Sequence, residues 1–238
     1  MRFLKLNRKT GIAINALAII SMLAATMIPL SAKKPALPET THDGLVRLND
    51  SKADAVYVAP GADLKGYEKI ILLEPTIAFR KGWQRDINAN RPMMDRLSAS
   101  DLETIIKRGK SLFLDEFTDV LEDKGYPVVH TTGEDVLIVR AQIIDLDITA
   151  PDPNNTAGLW GQVYAEGSGE ATLVIELFDS VSGQILARGV DRKRDMGDSF
   201  SWRIPRSQSA NIRDARAAFS SWAKMLANGL DRAKKEAK

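Results

Sequence analysis

The sequence contains no cysteine and only two histidines, His42 and His130. Without cysteine, a disulfide, a thiolate nucleophile, a cysteine-ligated metal centre and a cysteine-linked lipid are all excluded. A Ser–His–Asp triad needs a histidine base and a serine on a sharp turn before a helix. No Gly-x-Ser-x-Gly motif precedes a helix, and His130 lies on a short predicted strand, where we expect a packing or surface role. We therefore predict a protein without catalytic residues.

A glycine-rich phosphate loop and a strong net charge are also missing. Residues 167–169 are Gly-Ser-Gly, but Thr172 follows where a dinucleotide fingerprint needs glycine, and a strand is predicted next instead of a helix. The formal net charge is +2, and residues 1–32 hold four basic and no acidic residues, which leaves −2 for the remainder. This balance gives no reason to expect nucleic acid binding. We expect no cofactor.

Long hydrophobic runs are absent except near the N-terminus. A basic stretch is followed by apolar residues 12–30 and by small residues up to Ala32, which is the pattern of a secretory signal peptide. We predict a signal peptide over residues 1–32 and a periplasmic protein. The alternative is an uncleaved segment that anchors the protein in the inner membrane. Residues 33–47 contain proline and lack periodicity, which predicts a flexible tether.

Residues 48–238 are predicted to form a single α+β domain. One amphipathic helix is predicted from a capping box at Ser100 and Glu103 to Gly125, and a second follows Pro205, with an apolar stripe from Ile212 to Leu230. Strands are predicted over residues 55–58, 67–79, 128–131, 136–149, 171–179 and 185–191. This order predicts an antiparallel or mixed sheet of five to six strands with both helices packed on one face.

Several phrases resemble the bacterial domain-of-unknown-function family numbered 3313. They are residues 54–64 (DAVYVAPGADL), 66–70 (GYEKI), 79–83 (FRKGW), 169–173 (GEATL) and 179–188 (DSVSGQILAR). The resemblance extends from about Asp43 to about Arg232, and it implies an envelope protein, commonly a lipoprotein, with no established activity. Family members that are lipoproteins carry a cysteine just after the signal peptide. This sequence has none, so a soluble periplasmic form is expected.

An aspartate cluster is the alternative that would make the protein an enzyme. Asp145 and Asp147 are two residues apart on a predicted strand, so both side chains should lie on one face, and Asp152 follows where the strand ends. Three such carboxylates could bind a cation or serve a cation-dependent hydrolase. The competing interpretation is a half-exposed strand, with Ile144, Leu146 and Ile148 on the opposite face.

Two basic segments with aromatic residues are the candidate binding loops. The predicted binding residues are Arg80, Trp83, Arg85, Arg192, Arg194 and Trp202. Guanidinium groups bind carboxylates or phosphates, and an exposed indole offers an apolar platform. We expect an envelope protein or an anionic envelope polymer as the partner. Alternatively, these arginines pair with neighbouring aspartates, or the protein self-associates through exposed strand edges as a homo-oligomer.

Overall fold

A mixed β-sheet with two long helices on one face organises the chain. The computed structural model describes residues 37–89, 91–148, 163–165, 169–194, 204–206 and 208–236. The helices are α1 (Trp83–Ala89), α2 (Ala99–Asp123) and α3 (Gln208–Glu236), with a 3₁₀ turn at Met93–Asp95. The strands are β1 (Val46–Leu48), β2 (Ala55–Val58), β3 (Lys69–Leu72), β4 (Thr76–Phe79), β5 (Val136–Ile148), β6 (Val163–Ala165), β7 (Gly169–Asp179), β8 (Ile185–Arg194) and β9 (Ile204–Arg206). The predicted α+β class is confirmed.

Among the described residues, seven strands form the main sheet and β6 and β9 form a separate pair. The main sheet has the order β1-β2-β8-β7-β5-β3. Strand β4 also pairs with β5, along a part of β5 that follows its pairing with β3. Both β3 and β4 run parallel to β5, whereas the other neighbours in the main sheet are antiparallel. The predicted strand over residues 67–79 is therefore two strands. The buried Pro75 lies between them and cannot donate a ladder hydrogen bond.

Helix α2 begins two residues before its predicted start. Ser98 is the N-cap: its hydroxyl accepts a hydrogen bond from the Asp101 backbone N–H, and the Asp101 carboxylate accepts one from the Ser98 N–H at 2.8 Å. The predicted capping box at Ser100 and Glu103 is wrong, because the same motif occurs two residues earlier and that copy caps the helix. The helix ends before Gly125, whose φ of +84° suits glycine.

The core lies between α2, α3 and one face of the main sheet. Phe113 and Phe117 of α2 stack with centroids 3.9 Å apart, and Phe219 of α3 contacts Phe113 edge-on. Trp222 and Leu230 continue the apolar stripe of α3 into this core, whereas Ile212 of the predicted stripe is exposed. The two predicted amphipathic faces are thus core faces over most of their length.

The described part of the predicted tether is ordered by hydrogen bonds. In residues 37–47, Thr41 bonds to Leu45 through its side chain, and Arg47 N–H donates to the Glu39 carbonyl at 2.9 Å. Leu45 is buried with Ala55 and Tyr57 in a second small core. The prediction of a flexible tether is therefore wrong for these residues, because one apolar side chain anchors the turn. Residues 1–36 lie outside the described residues.

Among the described residues, no helix is both long enough and apolar enough to cross a membrane.

Candidate functional site

The first predicted basic loop contains a short helix that the sequence analysis missed. Helix α1 begins at Trp83, directly after Gly82, whose φ is +78°. Trp83 is only 1% exposed. Its ring stacks on Phe79 with centroids 4.1 Å apart, and its indole N–H donates to the Ile148 carbonyl at 3.2 Å. Trp83 is therefore a core residue, and the prediction of an exposed indole platform is wrong.

Arg80 holds together two carboxylates from different parts of the chain. Its guanidinium bonds to Asp86 at 2.7 Å and to Asp147 on β5. The hydrogen bonds that Arg80 donates to Asp86, the larger cause, and to Asp147 raise the pKa of Arg80. The pKa of Asp86 is lowered by the hydrogen bonds that it accepts from Arg80 and then from Arg85. Arg80 is therefore engaged within the protein. Arg85 also bonds to Asp86, but its side chain is 82% exposed.

The predicted aspartate cluster is disrupted by a β-bulge. Asp145 has a φ of +52°, and the register of β5 with β7 shifts between Ile144 and Asp147. The extra residue changes the alternation, so the predicted common face of Asp145 and Asp147 is wrong. Asp147 bonds to Arg80, and Asp152 lies outside the described residues. In the part of the chain that the structure describes, no group of three or more His, Asp or Glu side chains is placed to hold a metal ion.

The second predicted basic loop is partly a strand. Arg192 and Arg194 lie near the end of β8, and both approach Glu170 on β7, Arg192 at 2.6 Å and Arg194 at 3.6 Å. The alternative prediction was that these arginines pair with neighbouring aspartates. Their carboxylate partner is instead Glu170 of the adjacent strand. Trp202 lies outside the described residues.

Two exposed methionines lie between α1 and α2. Met93 is 81% and Met94 is 97% exposed. We call residues 91–97 the Met93–Met94 loop. Its end is fixed, because Asn88 of α1 accepts a hydrogen bond from the Leu97 N–H at 2.8 Å and donates one to the Leu97 carbonyl at 3.0 Å. Leu97 itself is buried, so the loop that carries both methionines is held in place at this end. The adjacent pair in the sequence was the available signal.

A cleft of about 300 Å³ lies between the sheet and the C-terminal half of α3. We call it the α3 cleft. Its walls include Val56 on β2, Leu173 on β7, Ala187 on β8, and Trp222 and Leu226 on α3. The indole N–H of Trp222 donates to the Asp191 carboxylate at 2.7 Å, which fixes the ring at the cleft. No local sequence pattern predicts this cleft, because its residues come from separate elements.

A profile of the family described as "Protein of unknown function (DUF3313)" matches residues 40–226. The chain belongs to this family. The match covers β1 to most of α3, and it includes the Met93–Met94 loop and most of the α3 cleft. The resemblance found in the sequence phrases is thus confirmed for DUF3313.

Several solved structures match this chain at low sequence identity and with TM-scores below 0.5. PelC from Paraburkholderia phytofirmans, a dodecamer, is 11% identical with a TM-score of 0.37, covering 72% of this chain and 96% of that chain. A candidate lipoprotein from Caulobacter crescentus CB15 is 13% identical with a TM-score of 0.35, covering 74% and 94%. A DUF330 protein from Xanthomonas campestris is 12% identical with a TM-score of 0.38, covering 74% and 93%. No curated protein matches the chain.

Proposed function

We propose that this DUF3313 protein is exported to the bacterial cell envelope and acts there, without catalysis, by binding a protein partner through the Met93–Met94 loop. The observation that carries the proposal is the exposure of two adjacent methionines on a loop with a fixed base. The N-terminal pattern of residues 1–32 supports export to the periplasm. The partner offers an apolar pocket for the methionines and an acidic rim.

The methionine side chains supply the apolar part of this surface. Little of the apolar area of Met93 and Met94 is buried within the described chain, so a partner that covers them removes that area from water. Methionine is unbranched and polarisable, and it adapts to irregular pockets. Because Asn88 and Leu97 already order the loop base, binding costs less conformational entropy than ordering a free loop would.

Exposed basic side chains in the loop and at the start of α1 favour an acidic partner. Lys81, Arg85 and Arg96 are exposed. Of the nearby acids, Asp86 is bonded to both Arg80 and Arg85, while Asp95 lies in the 3₁₀ turn. A basic patch beside an apolar anchor accelerates association with an acidic surface and limits the choice of partner. Arg85 thus keeps its predicted role, and the methionines replace Trp83 as the apolar contact.

The other predicted binding residues have a smaller part in this proposal. Arg80 maintains the local structure through Asp86 and Asp147. Arg192 and Arg194 face Glu170. Binding through these two arginines and Trp202 stays a prediction.

Site-specific photocrosslinking in living cells tests the proposal. A photoreactive amino acid replaces Met94 in one strain and Val181 in a control strain. Val181 is also exposed, and it lies in the turn between β7 and β8. This turn is next to the start of β5, whereas Trp83 at the start of α1 contacts the end of β5, so the two probes lie at opposite ends of that strand. We expect one envelope protein to be captured from position 94 and not from position 181.

The captured protein is then purified and its affinity for variants is measured. Met93→Ser with Met94→Ser should weaken binding about tenfold, and Arg96→Glu should weaken it in a salt-dependent manner. Equal capture at both positions, or affinity unchanged by the serine variant, would contradict the proposal. Binding of an anionic polymer that depends on Arg85 and Arg96 but not on the methionines would favour the polymer alternative. Capture of a second copy of this chain would favour self-association.

A further inference from the structure

The α3 cleft is an apolar space that the packing of the helices leaves open. Helix α2 packs against α3 and β4, and none of its residues lines the cleft. The cleft is at the other end of the sheet, where Val56 and Val58 of β2 and Ala187 of β8 face α3. Its volume of about 300 Å³ is at the lower end of the range for ligand pockets, and apolar side chains form most of its lining.

Gly229 is an exposed residue of the cleft lining and leaves space there. It lies within α3, seven residues before the helix ends, and it lines the cleft. A glycine inside a helix is less stable than alanine at the same position. A Cβ atom at Gly229 would meet nothing within 4 Å, so packing within the described chain gives no reason for glycine. At Gly109 in α2, by contrast, packing favours glycine, because an added Cβ atom would lie only 3.0 Å from the Ile77 side chain.

Two cations of the cleft lining, Lys52 and Arg232, belong to elements that are in contact. Arg232 of α3 donates to the Asp50 carbonyl at 3.2 Å, which brings its guanidinium to the loop that carries Lys52. Arg188, the other cation of the lining, is bonded to Asp43 and Glu176.

Three acids also line the cleft, and two of them are engaged. Asp191 accepts from the Trp222 indole, and Asp63 accepts from the Lys65 N–H. Asp50 contacts Arg232 through its backbone carbonyl. Among the described residues of the lining, Lys52 and Arg232 are thus two cations without a bond to an acid, against one unengaged carboxylate, that of Asp50, which leaves one net positive charge for a negatively charged group.

We propose that the α3 cleft binds an anionic amphiphile. Its aliphatic chain lies along Leu226 and Gly229, beside the buried Trp222, and its carboxylate or phosphate is bound by Lys52 and Arg232. A free fatty acid and the single chain of a lysophospholipid share this chemistry. The proposal is independent of partner binding by the Met93–Met94 loop, since the two surfaces share no residue.

Fluorescence quenching of Trp222 tests this proposal directly. Protein purified from cells that express the full chain is titrated with dodecanoate brominated near the end of its chain, because bromine quenches a nearby indole at short range and the buried Trp222 lines the cleft. Brominated dodecanol is the neutral control, and a lysophosphatidylglycerol with the same brominated chain represents the phospholipid source. We expect saturable quenching by the two anionic probes, at least about tenfold weaker binding of the alcohol, and loss of the quenching in Trp222→Phe. The tighter anionic probe identifies the source.

Variants separate the chain site from the headgroup site. Gly229→Leu fills the cleft and should weaken dodecanoate binding about tenfold, whereas Lys224→Leu, at an exposed position on the same helix outside the cleft, should leave it within about twofold. Lys52→Gln and Arg232→Gln should weaken binding of dodecanoate and not of dodecanol. Circular dichroism verifies that each variant is folded. Absence of quenching, its persistence in Trp222→Phe, or equal affinities for the acid and the alcohol would overturn the proposal.

Discussion

The guanidinium of Arg80 and the carboxylate of Asp147 form an ion pair, although they lie 67 residues apart in the sequence. Arg80 follows β4, Asp147 is near the end of β5, and the parallel pairing of these strands brings the two side chains together. The sequence placed Arg80 in a candidate anion-binding loop and, in the alternative interpretation only, Asp147 in a cation site. Because each neutralises the other, neither is a free ligand group in the folded protein.

The Arg80–Asp147 pair should show energetic coupling. Their side chains are 32% and 28% exposed, which places the pair between a surface and a buried ion pair. We expect Arg80→Ala and Asp147→Ala each to lower the free energy of unfolding by about 1 kcal/mol, with a coupling energy of about 1 kcal/mol in the double variant. Urea denaturation measures all three. Arg85→Ala is the control and should change stability by less than about 0.5 kcal/mol. Fully additive effects would contradict this prediction.

Trp83 should contribute to stability and not to binding. Trp83→Ala removes a buried ring that stacks on Phe79, and it should lower the free energy of unfolding by about 3–5 kcal/mol. Trp83→Phe keeps an aromatic ring but loses the hydrogen bond to the Ile148 carbonyl, so a loss of about 1–2 kcal/mol is expected. Chemical denaturation measures both losses. Partner capture from position 94 should persist in folded Trp83→Phe, and its loss there would return Trp83 to the binding surface.

Asp145 should tolerate glycine better than any β-branched residue. Its φ of +52° is in the left-handed region, which costs an L-residue free energy. Asp145→Gly relieves this cost but adds entropy to the unfolded chain, so we expect a gain of about 0.5 kcal/mol. Asp145→Val should lower stability by about 1–2 kcal/mol. Thermal unfolding compares the two variants. Equal stability of both would show that the bulge relaxes.

The Asp43–Arg188 pair should make stability depend on acid pH. Hydrogen bonds from Arg188, and then from Thr41, hold the pKa of Asp43 far below its usual value. A carboxyl whose pKa is lower in the folded state stabilises the protein above the unfolded pKa of about 4, and this contribution is lost as the pH falls from there toward the folded pKa. Asp43→Asn should therefore flatten the decline of the urea midpoint below pH 4.

A matched control separates this pair from general acid effects. Asp119→Asn changes a carboxylate at an exposed position on α2 and should leave the slope of midpoint against pH close to that of the unchanged protein. An equal change of slope in both variants would mean that Asp43 has no special part in acid unfolding.

Local sequence signals predicted much of the fold. The strand over residues 55–58 coincides with β2, and the strands over 136–149 and 185–191 match β5 and β8 closely, because alternation depends on each segment alone. Errors arose where two local signals compete. The motif at Ser98 matches a capping box as well as the one at Ser100, and the actual N-cap is Ser98.

The candidate sites were predicted less well, because they depend on contacts between distant segments. Trp83 looked like an exposed residue of a basic loop, yet it packs against Phe79 and the end of β5. The bulge at Asp145 could not be read from alternation, since it results from the register of β5 with β7.

The sequence alone determined the α+β class, the two amphipathic helices, the family and the absence of cysteine chemistry, because composition, periodicity and family phrases are properties of the chain itself. Only the tertiary structure decided which charged groups pair, which aromatic rings are buried and where apolar surface remains. Arg80 forms an ion pair with Asp147, Met93 and Met94 are exposed, and the α3 cleft lies beside Gly229. The physical reason is that pairing, burial and cavities arise between segments that are far apart in the chain.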